Sequence, residues 1–160
     1  MTSGVCVEPR NGQRVYTFGH DMARNVSAGP ITVKSVEFEK SDGLTIIDAR
    51  AVFTKTWRYG LIGIVGGWPP DSELDGMSPP KAYLKAPRAV GVSVPPDAEN
   101  PVSWMVAFRV EKLPARAKPL VITYENQDGR QYTWHGSVYV EVGDCLDDMG
   151  SSMPDDPRDR

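Results

Sequence analysis

The sequence lacks any long apolar run, and it is poor in cysteine, histidine and net charge. Its 160 residues include 2 Cys and 2 His, and the formal net charge is −3 at pH 7. No apolar run approaches the roughly 18 residues that a membrane-spanning helix needs, so no membrane span is predicted. The 15 glycines and 14 prolines argue against a helical bundle or a coiled coil. The length indicates one domain.

The charge is unevenly distributed along the chain. Residues 144–160 hold six acidic and two basic side chains, which leaves 16 basic and 15 acidic side chains in residues 1–143. Because residues 1–143 carry nearly equal numbers of basic and acidic side chains, they lack the excess of positive charge that is typical of nucleic-acid binding. The sequence therefore predicts a folded domain over residues 5–143, an acidic, disordered tail over residues 144–160, and no nucleic-acid partner.

The two cysteines, Cys6 and Cys145, lie at opposite ends of the predicted domain. A zinc site needs about four closely grouped ligands, which two lone cysteines do not supply. Because the ends of a domain often lie close together, a disulfide between them is favoured over two free thiols. Such a bond predicts an oxidising, extracytoplasmic compartment, with a cytoplasmic protein as the alternative. Residues 1–4 resemble no secretory signal, so we expect the signal or anchor to be absent from this chain.

Alternation of apolar and polar residues with a period of two is the dominant pattern. In residues 102–110 every even-numbered residue is apolar. In residues 131–142 the even-numbered residues are again apolar, except that Gly136 takes one of these positions. Side chains of a strand alternate between its faces, so each stretch predicts a strand with one buried face. Trp104 and Trp134 are predicted to lie in the core. The pattern predicts an all-β fold, an immunoglobulin-like sandwich of two antiparallel sheets with about seven to nine strands.

Local signals predict two turns and one irregularity in a strand. Asp42-Gly43 and Asp128-Gly129 each separate two strand-like stretches, and Asp-Gly favours a tight hairpin turn. The apolar phase slips by one residue between Val33 and Val36. A β-bulge near Lys34-Ser35 would return both residues to the core, and a less regular edge strand is the alternative.

Residues 66–87 are predicted to form a long connection. Repeated prolines in this stretch remove ladder donors and disfavour helix at the preceding residue. One short helical turn fits either at residues 72–74 or at residues 81–84. A connection of this length in a compact domain is often functional, or it is an embellishment of the fold.

Four aromatic residues in or near the predicted loops are candidate binding residues. They are Trp57, Tyr59, Trp68 and Tyr83. Exposed Trp and Tyr side chains are typical anchors of binding surfaces. The alternative is that these side chains fold back as a lid over the sandwich.

His20, Met22 and His135 form a candidate metal set, since imidazole and thioether groups bind copper or zinc. No G-x-S-x-G elbow or other nucleophile motif occurs, so no catalytic residue and no cofactor are predicted. The favoured function is therefore a non-catalytic interaction module. A small extracytoplasmic metal-binding or carrier protein is the alternative, and a hydrolase-associated domain is a weaker one.

One pattern resembles immunoglobulin-like bacterial modules, in which a strand ends in Asn, a short turn follows, and the chain resumes as Pro-apolar-x-apolar. The segments that carry it are Tyr16–Val33, with Asn25 at the strand end and Pro30-Ile31-Thr32-Val33 after the turn, Asp42-Gly43-Leu44, and Val92-Ser93-Val94-Pro95-Pro96. Over roughly Val5 to Cys145 the chain is similar to uncharacterised actinobacterial proteins of the cell envelope. The resemblance implies a secreted or envelope location, an unknown protein or envelope component as partner, and no catalytic residues.

Overall fold

The computed structural model describes residues 3–55, 63–71 and 80–145, and these residues form an all-β fold, as predicted. Thirteen strands and one short 3₁₀ helix, Pro80–Lys85, occur within these ranges. The strands are β1 Ser3–Val7, β2 Val15–Gly19, β3 Met22–Asn25, β4 Ile31–Phe38, β5 Ser41–Asp42, β6 Leu44–Phe53, β7 Gly63–Gly66, β8 Ser93–Val94, β9 Asp97–Val110, β10 Ala115–Ala117, β11 Leu120–Glu125, β12 Gln131–His135 and β13 Val138–Val142. No helix in the described ranges is long and apolar enough to cross a membrane.

The strands form two layers. In the first layer, the long strand β9 pairs with β6 on one side and with β2 and β3 on the other, and β7 pairs with β2. The second layer has two ladders, β12-β11-β4-β8 and β1-β13-β10-β5, in which only the β1–β13 pairing is parallel. Backbone bonds from Glu39 to Pro119 (2.9 Å) and from Lys118 to Lys40 (2.8 Å) connect the two ladders. The two ladders are therefore halves of one interrupted sheet.

These interruptions explain why the thirteen strands exceed the seven to nine predicted. The stretch 131–142 was predicted as one strand, but Gly136 and Ser137 divide it into β12 and β13. His20 and Asp21 separate β2 from β3 in the same way. The alternation keeps its phase across Gly136, so the apolar row of β12 and β13 stays on one side.

The core lies between the two layers. Trp104 is 3 % exposed within the core, and Trp134 is partly buried against it. The prediction that β9 buries only one face is wrong, because Ser103 and Met105 on its outer face are fully buried. Met105 belongs to a second apolar cluster that includes Tyr83 of the 3₁₀ helix. The connection before β8 thus covers the outer face of the first layer.

The β-bulge predicted near Lys34-Ser35 is confirmed. Ser35 pairs with Thr123 of β11, while the next partners are Val33 and Tyr124, which leaves Lys34 as the extra residue. The apolar residues on both sides of the bulge are buried. The helical turn predicted at residues 81–84 is also observed, within Pro80–Lys85, whereas residues 72–74 lie outside the described ranges.

One predicted hairpin turn is confirmed and the other is wrong. Asp128-Gly129 joins β11 to β12, which pair antiparallel. Asp42-Gly43 does not join paired strands, because β5 pairs with β10 in the second layer and β6 pairs with β9 in the first. Gly43 does have the positive φ of a tight turn, +78°. The local turn chemistry was right, but the partner strands come from distant parts of the chain.

The disulfide between Cys6 and Cys145 is confirmed, with 5.8 Å between the two Cα atoms. It fastens β1 beside β13 and spans 139 residues of sequence. Because Cys145 belongs to this bond, the described fold continues through residue 145 and so includes the first two residues of the tail predicted over 144–160. Residues 146–160 of that tail lie outside the described ranges.

Candidate functional site

The aromatic residues predicted to bind a partner do not form an exposed patch among the described residues. Tyr83 is fully buried, so the exposed anchoring role predicted for it is wrong. Its ring packs with Val52 and Met105 on the outer face of the first layer. The 3₁₀ helix Pro80–Lys85 and the segment that follows it to Ala89 form a lid over this face. Trp57 and Tyr59 lie outside the described ranges.

Trp68 is half-buried and held by an ion pair beneath the lid. Its indole Nε1 donates to Asp48 Oδ2 at 3.0 Å, and Arg50 Nη2 donates to the same oxygen at 2.9 Å. Arg50 Nη1 also donates to the backbone carbonyls of Leu84 (3.0 Å) and Ala86 (2.9 Å). The planar guanidinium thereby joins β6 to the lid on several sides. These contacts indicate a structural role for Trp68.

The candidate metal residues lie near one side of the sandwich. His20 is half-buried between β2 and β3, Met22 is 43 % exposed, and His135 is exposed at the end of β12. The carboxylate of Asp21 accepts a hydrogen bond from Ser137 N, which brings the two strand connections together. Among the described residues, no group of three or more His, Cys, Asp or Glu side chains is placed to hold a metal ion. The set of His20, Met22 and His135 stays a prediction.

A cleft of about 460 Å³ lies at one end of the sandwich, where β3, β6 and β9 meet. Apolar side chains form much of its wall: Phe53, Val94, Pro95, Pro96, Pro101 and Val102. Three of these residues are prolines, whose rings fix the backbone φ angle. The cleft is therefore shaped before any ligand arrives.

Side-chain hydrogen bonds hold the walls of the cleft in place. Asn25 Nδ2 donates to the carbonyls of Val94 (2.9 Å) and Gly29 (3.0 Å), which ties the end of β3 to β8. Thr54 Oγ1 donates to the Pro101 carbonyl at 2.7 Å, which ties the end of β6 to β9. Asn25 is buried, and its Oδ1 accepts from the backbone amide and the hydroxyl of Ser27, so all of its side-chain polar atoms are satisfied.

Asp97 places a carboxylate at the cleft. Its Oδ1 accepts from the backbone amides of Asn100 (2.9 Å) and Glu99 (3.0 Å), and its Oδ2 accepts from Asn100 Nδ2 at 3.0 Å. The Asn100 backbone amide is the main cause that lowers the pKa of Asp97, followed by the Asn100 side chain, with Lys55 adding a smaller attraction. The carboxylate is therefore ionised at neutral pH and fixed in direction. Together with the apolar walls, it suits a ligand that is apolar with a cationic end.

None of the residues in this cleft was singled out as a binding residue from the sequence. The cleft combines residue 25, residues 53–55 and residues 94–102, which are far apart along the chain. The signal that was available is local. A rigid turn capped by a carboxylate is indicated by Pro95-Pro96, the following Asp97, and Asn100 three residues later.

Comparisons with protein-family models, curated proteins and solved structures found no match for this chain.

Proposed function

We propose that this chain is a non-catalytic interaction module of the bacterial cell envelope, which binds a partner protein in the cleft at the end of the sandwich. The observation that carries the proposal is the combination, in one rigid cleft, of apolar walls and the ionised carboxylate of Asp97. The disulfide Cys6–Cys145 supports an oxidising, extracytoplasmic compartment. The envelope as the particular location is proposed from the sequence resemblance alone.

The chemistry of the cleft defines the segment that would bind. An apolar side chain of the partner would enter between Phe53 and the proline rings, and a neighbouring lysine or arginine would face Asp97. Oδ2 of Asp97 has one hydrogen bond, from Asn100, and so retains capacity to accept another. Because the walls are held by prolines and hydrogen bonds, binding would cost little ordering of the cleft.

Small probes test this chemistry directly. Phenethylammonium carries an aromatic ring and a cation, and 3-phenylpropanoate carries the same ring and an anion. In ¹⁵N-resolved NMR titrations, we expect phenethylammonium to shift the amides of Thr54, Asp97 and Asn100 with saturable, millimolar affinity. We expect 3-phenylpropanoate to bind at least about threefold more weakly, because it meets the carboxylate. Equal or tighter binding of the anion, which Lys55 would favour, contradicts the proposal.

A pair of matched substitutions assigns the effect to one carboxylate. Asp97→Asn removes the charge in the cleft, and Asp128→Asn removes an exposed charge in the β11–β12 turn. We expect only D97N to weaken phenethylammonium binding, and by about threefold or more. Equal effects of the two substitutions would mean that net charge, and not the cleft, attracts the probe.

The compartment has an independent test. Protein isolated from its native host is treated with an alkylating reagent before and after reduction, and its mass is measured. We expect Cys6 and Cys145 to be protected until the protein is reduced. Two thiols that are alkylated without reduction contradict the extracytoplasmic location.

A further inference from the structure

β12 presents a row of backbone groups that have no partner among the described residues. Gly136 N bonds to Leu120 O, and Asn126 N bonds to Arg130 O, at 2.8 and 2.9 Å. In an antiparallel pair these bonds recur at every second residue, so Tyr132 and Trp134 turn their N–H and C=O groups toward β11. The N–H and C=O groups of the other three residues, Gln131, Thr133 and His135, face away from the sheet.

The free edge of β12 ends at Ser137, whose backbone groups are already hydrogen-bonded. Ser137 is the next residue in this outward-facing row, and both its backbone groups are used. Its N–H donates to Asp21 and its carbonyl accepts from Ser3 N at 2.9 Å. Beyond that point β1 covers β13, whereas in the described ranges no strand covers β12.

The opposite side of the sandwich is covered. The segment before β8 bonds to the outer edge of β6, from Ala51 N to Pro87 O and from Ala89 N to Ala49 O, at 2.9 and 2.8 Å. Proteins usually protect a free edge with charge, proline or a bulge. The sequence of β12, Gln-Tyr-Thr-Trp-His, has no proline and no Lys, Arg, Asp or Glu, and its register with β11 is unbroken. This edge therefore has none of the usual protection.

Two exposed apolar side chains lie near this edge. Tyr132 belongs to β12 itself, and Met22 follows Asp21, whose carboxylate bonds to Ser137 just beyond β12. Tyr132 is 44 % exposed and Met22 is 43 % exposed. An exposed edge with apolar neighbours is typical of an interface.

We propose that β12 pairs antiparallel with β12 of a second copy of this chain, about a two-fold axis through Thr133. In this register Thr133 faces Thr133 of the second copy, and Gln131 faces His135. Every outward N–H and C=O group then meets its complement, which makes six backbone hydrogen bonds. The two copies of the second layer become one continuous sheet.

The side chains agree with this register. Tyr132 of one copy lies opposite Trp134 of the other in a non-hydrogen-bonded pair, where side chains come closest, and aromatic pairs of this kind are favourable. No like charges meet along the strand. A strand of a different protein could use the same edge, but only the second copy is specified by residues of this chain. Because one short strand and its apolar border bury little area, the dimer is expected to be weak and concentration-dependent.

Sedimentation equilibrium of the full chain, with its disulfide intact, tests the dimer. We expect the wild type to shift from monomer to dimer as its concentration rises from micromolar to millimolar. Thr133→Lys places like charges opposite each other at the two-fold axis and should weaken association at least about tenfold. Thr123→Lys is the matched control, because it adds the same charge on the neighbouring strand, whose edges are already paired. We expect T123K to associate like the wild type.

Hydrogen exchange of the wild type identifies the surface without any substitution. On raising the protein concentration, the amides of Gln131, Thr133 and His135 should become protected, while those of Tyr132 and Trp134, already bonded to β11, should change little. A chain that stays monomeric at millimolar concentration overturns the proposal. So does a dimer that T133K does not weaken, or one that forms without this alternating protection.

Discussion

The carboxylate of Asp21 accepts a hydrogen bond from the backbone amide of Ser137, at 3.2 Å, and this bond joins the two layers of the sandwich. Its other oxygen, Oδ2, is buried and has no hydrogen-bond partner within the described ranges. Burial is the main cause that raises the pKa of Asp21, while the Ser137 amide and the charge of His20 act in the opposite direction. Ionisation of this carboxyl group therefore opposes folding.

Asp21→Asn should change how stability depends on pH. Because the folded-state pKa lies above the unfolded value of 3.8, the contribution of Asp21 is fully favourable below that value and is lost as the pH rises through the folded pKa. The free energy of unfolding of D21N, relative to wild type, should therefore increase from acidic to neutral pH. Denaturant unfolding at a series of pH values measures this difference, and a difference that is constant with pH contradicts the prediction.

Asp97→Asn should show the opposite slope. The folded-state pKa of Asp97 is lowered, so its contribution is present above 3.8 and is lost as the pH falls through the folded pKa. Relative to wild type, D97N should therefore be least stable at neutral pH and should approach wild type in acid. The same unfolding series checks it, and slopes of the same sign for D97N and D21N would contradict the assigned causes.

Loss of the disulfide should destabilise the fold strongly. Replacement of both Cys6 and Cys145 by Ser removes a constraint that closes nearly the whole chain, since the two cysteines are 139 residues apart. The expected loss is about 2–5 kcal/mol in the free energy of unfolding, measured with denaturant. We also expect faster amide exchange in β1, which pairs with no strand other than β13 in the part of the chain that the structure describes. A loss below about 1 kcal/mol contradicts the prediction.

Tyr83→Ala should measure how firmly the lid is packed. The side chain is fully buried with Val52 and Met105, so its removal should cost about 3–5 kcal/mol in the free energy of unfolding. Leu84→Ala is the control from the same helix, because Leu84 is 43 % exposed and its truncation should cost less than about 1 kcal/mol. Similar costs for the two variants would mean that the lid is not part of the packed fold.

Gly43→Ala should be more destabilising than Gly12→Ala. Both glycines have a φ angle of +78°, so both substitutions cost about 1 kcal/mol of backbone strain. At Gly43 the new Cβ would also lie 2.9 Å from the backbone carbonyl oxygen of Lys112, whereas at Gly12 it would meet nothing within 4 Å. Thermal unfolding of the two variants separates steric overlap from backbone strain. An equal decrease in Tm would contradict the close approach of Lys112 to Gly43.

Features that depend on neighbouring residues were predictable from the sequence. The phase slip between Val33 and Val36 indicated a bulge near Lys34-Ser35, because an extra residue returns both side chains to one face. A less regular edge strand was the alternative, and the register shows the bulge. Asp128-Gly129 indicated a hairpin, and the two strands that it joins do pair with each other. Asp42-Gly43 carried the same signal but joins strands of different layers. A dipeptide specifies the turn conformation, and the pairing of the flanking strands is decided elsewhere.

The candidate site was not predictable in the same way. For Tyr83 the sequence left two roles open, an exposed anchor for a partner or a side chain folded back as a lid. Its ring is buried because the outer face of β9 offers Met105 and β6 offers Val52. The cleft around Asp97 exists only because the ends of β3 and β6 are brought to residues 94–102. No local pattern encodes contacts between segments separated by tens of residues.

The sequence by itself determined the all-β class and the apolar row of β9, and it indicated the bulge and the terminal disulfide with one alternative open for each. Period-two alternation, turn chemistry and two isolated cysteines carry these predictions, because each depends on local geometry or on the absence of other partners. The tertiary structure alone decided the layer to which each strand belongs, the burial of Tyr83, the cleft at Asp97 and the free edge at Thr133. These depend on which distant strands pair, and that choice is made by burial of the whole core and not by any single segment.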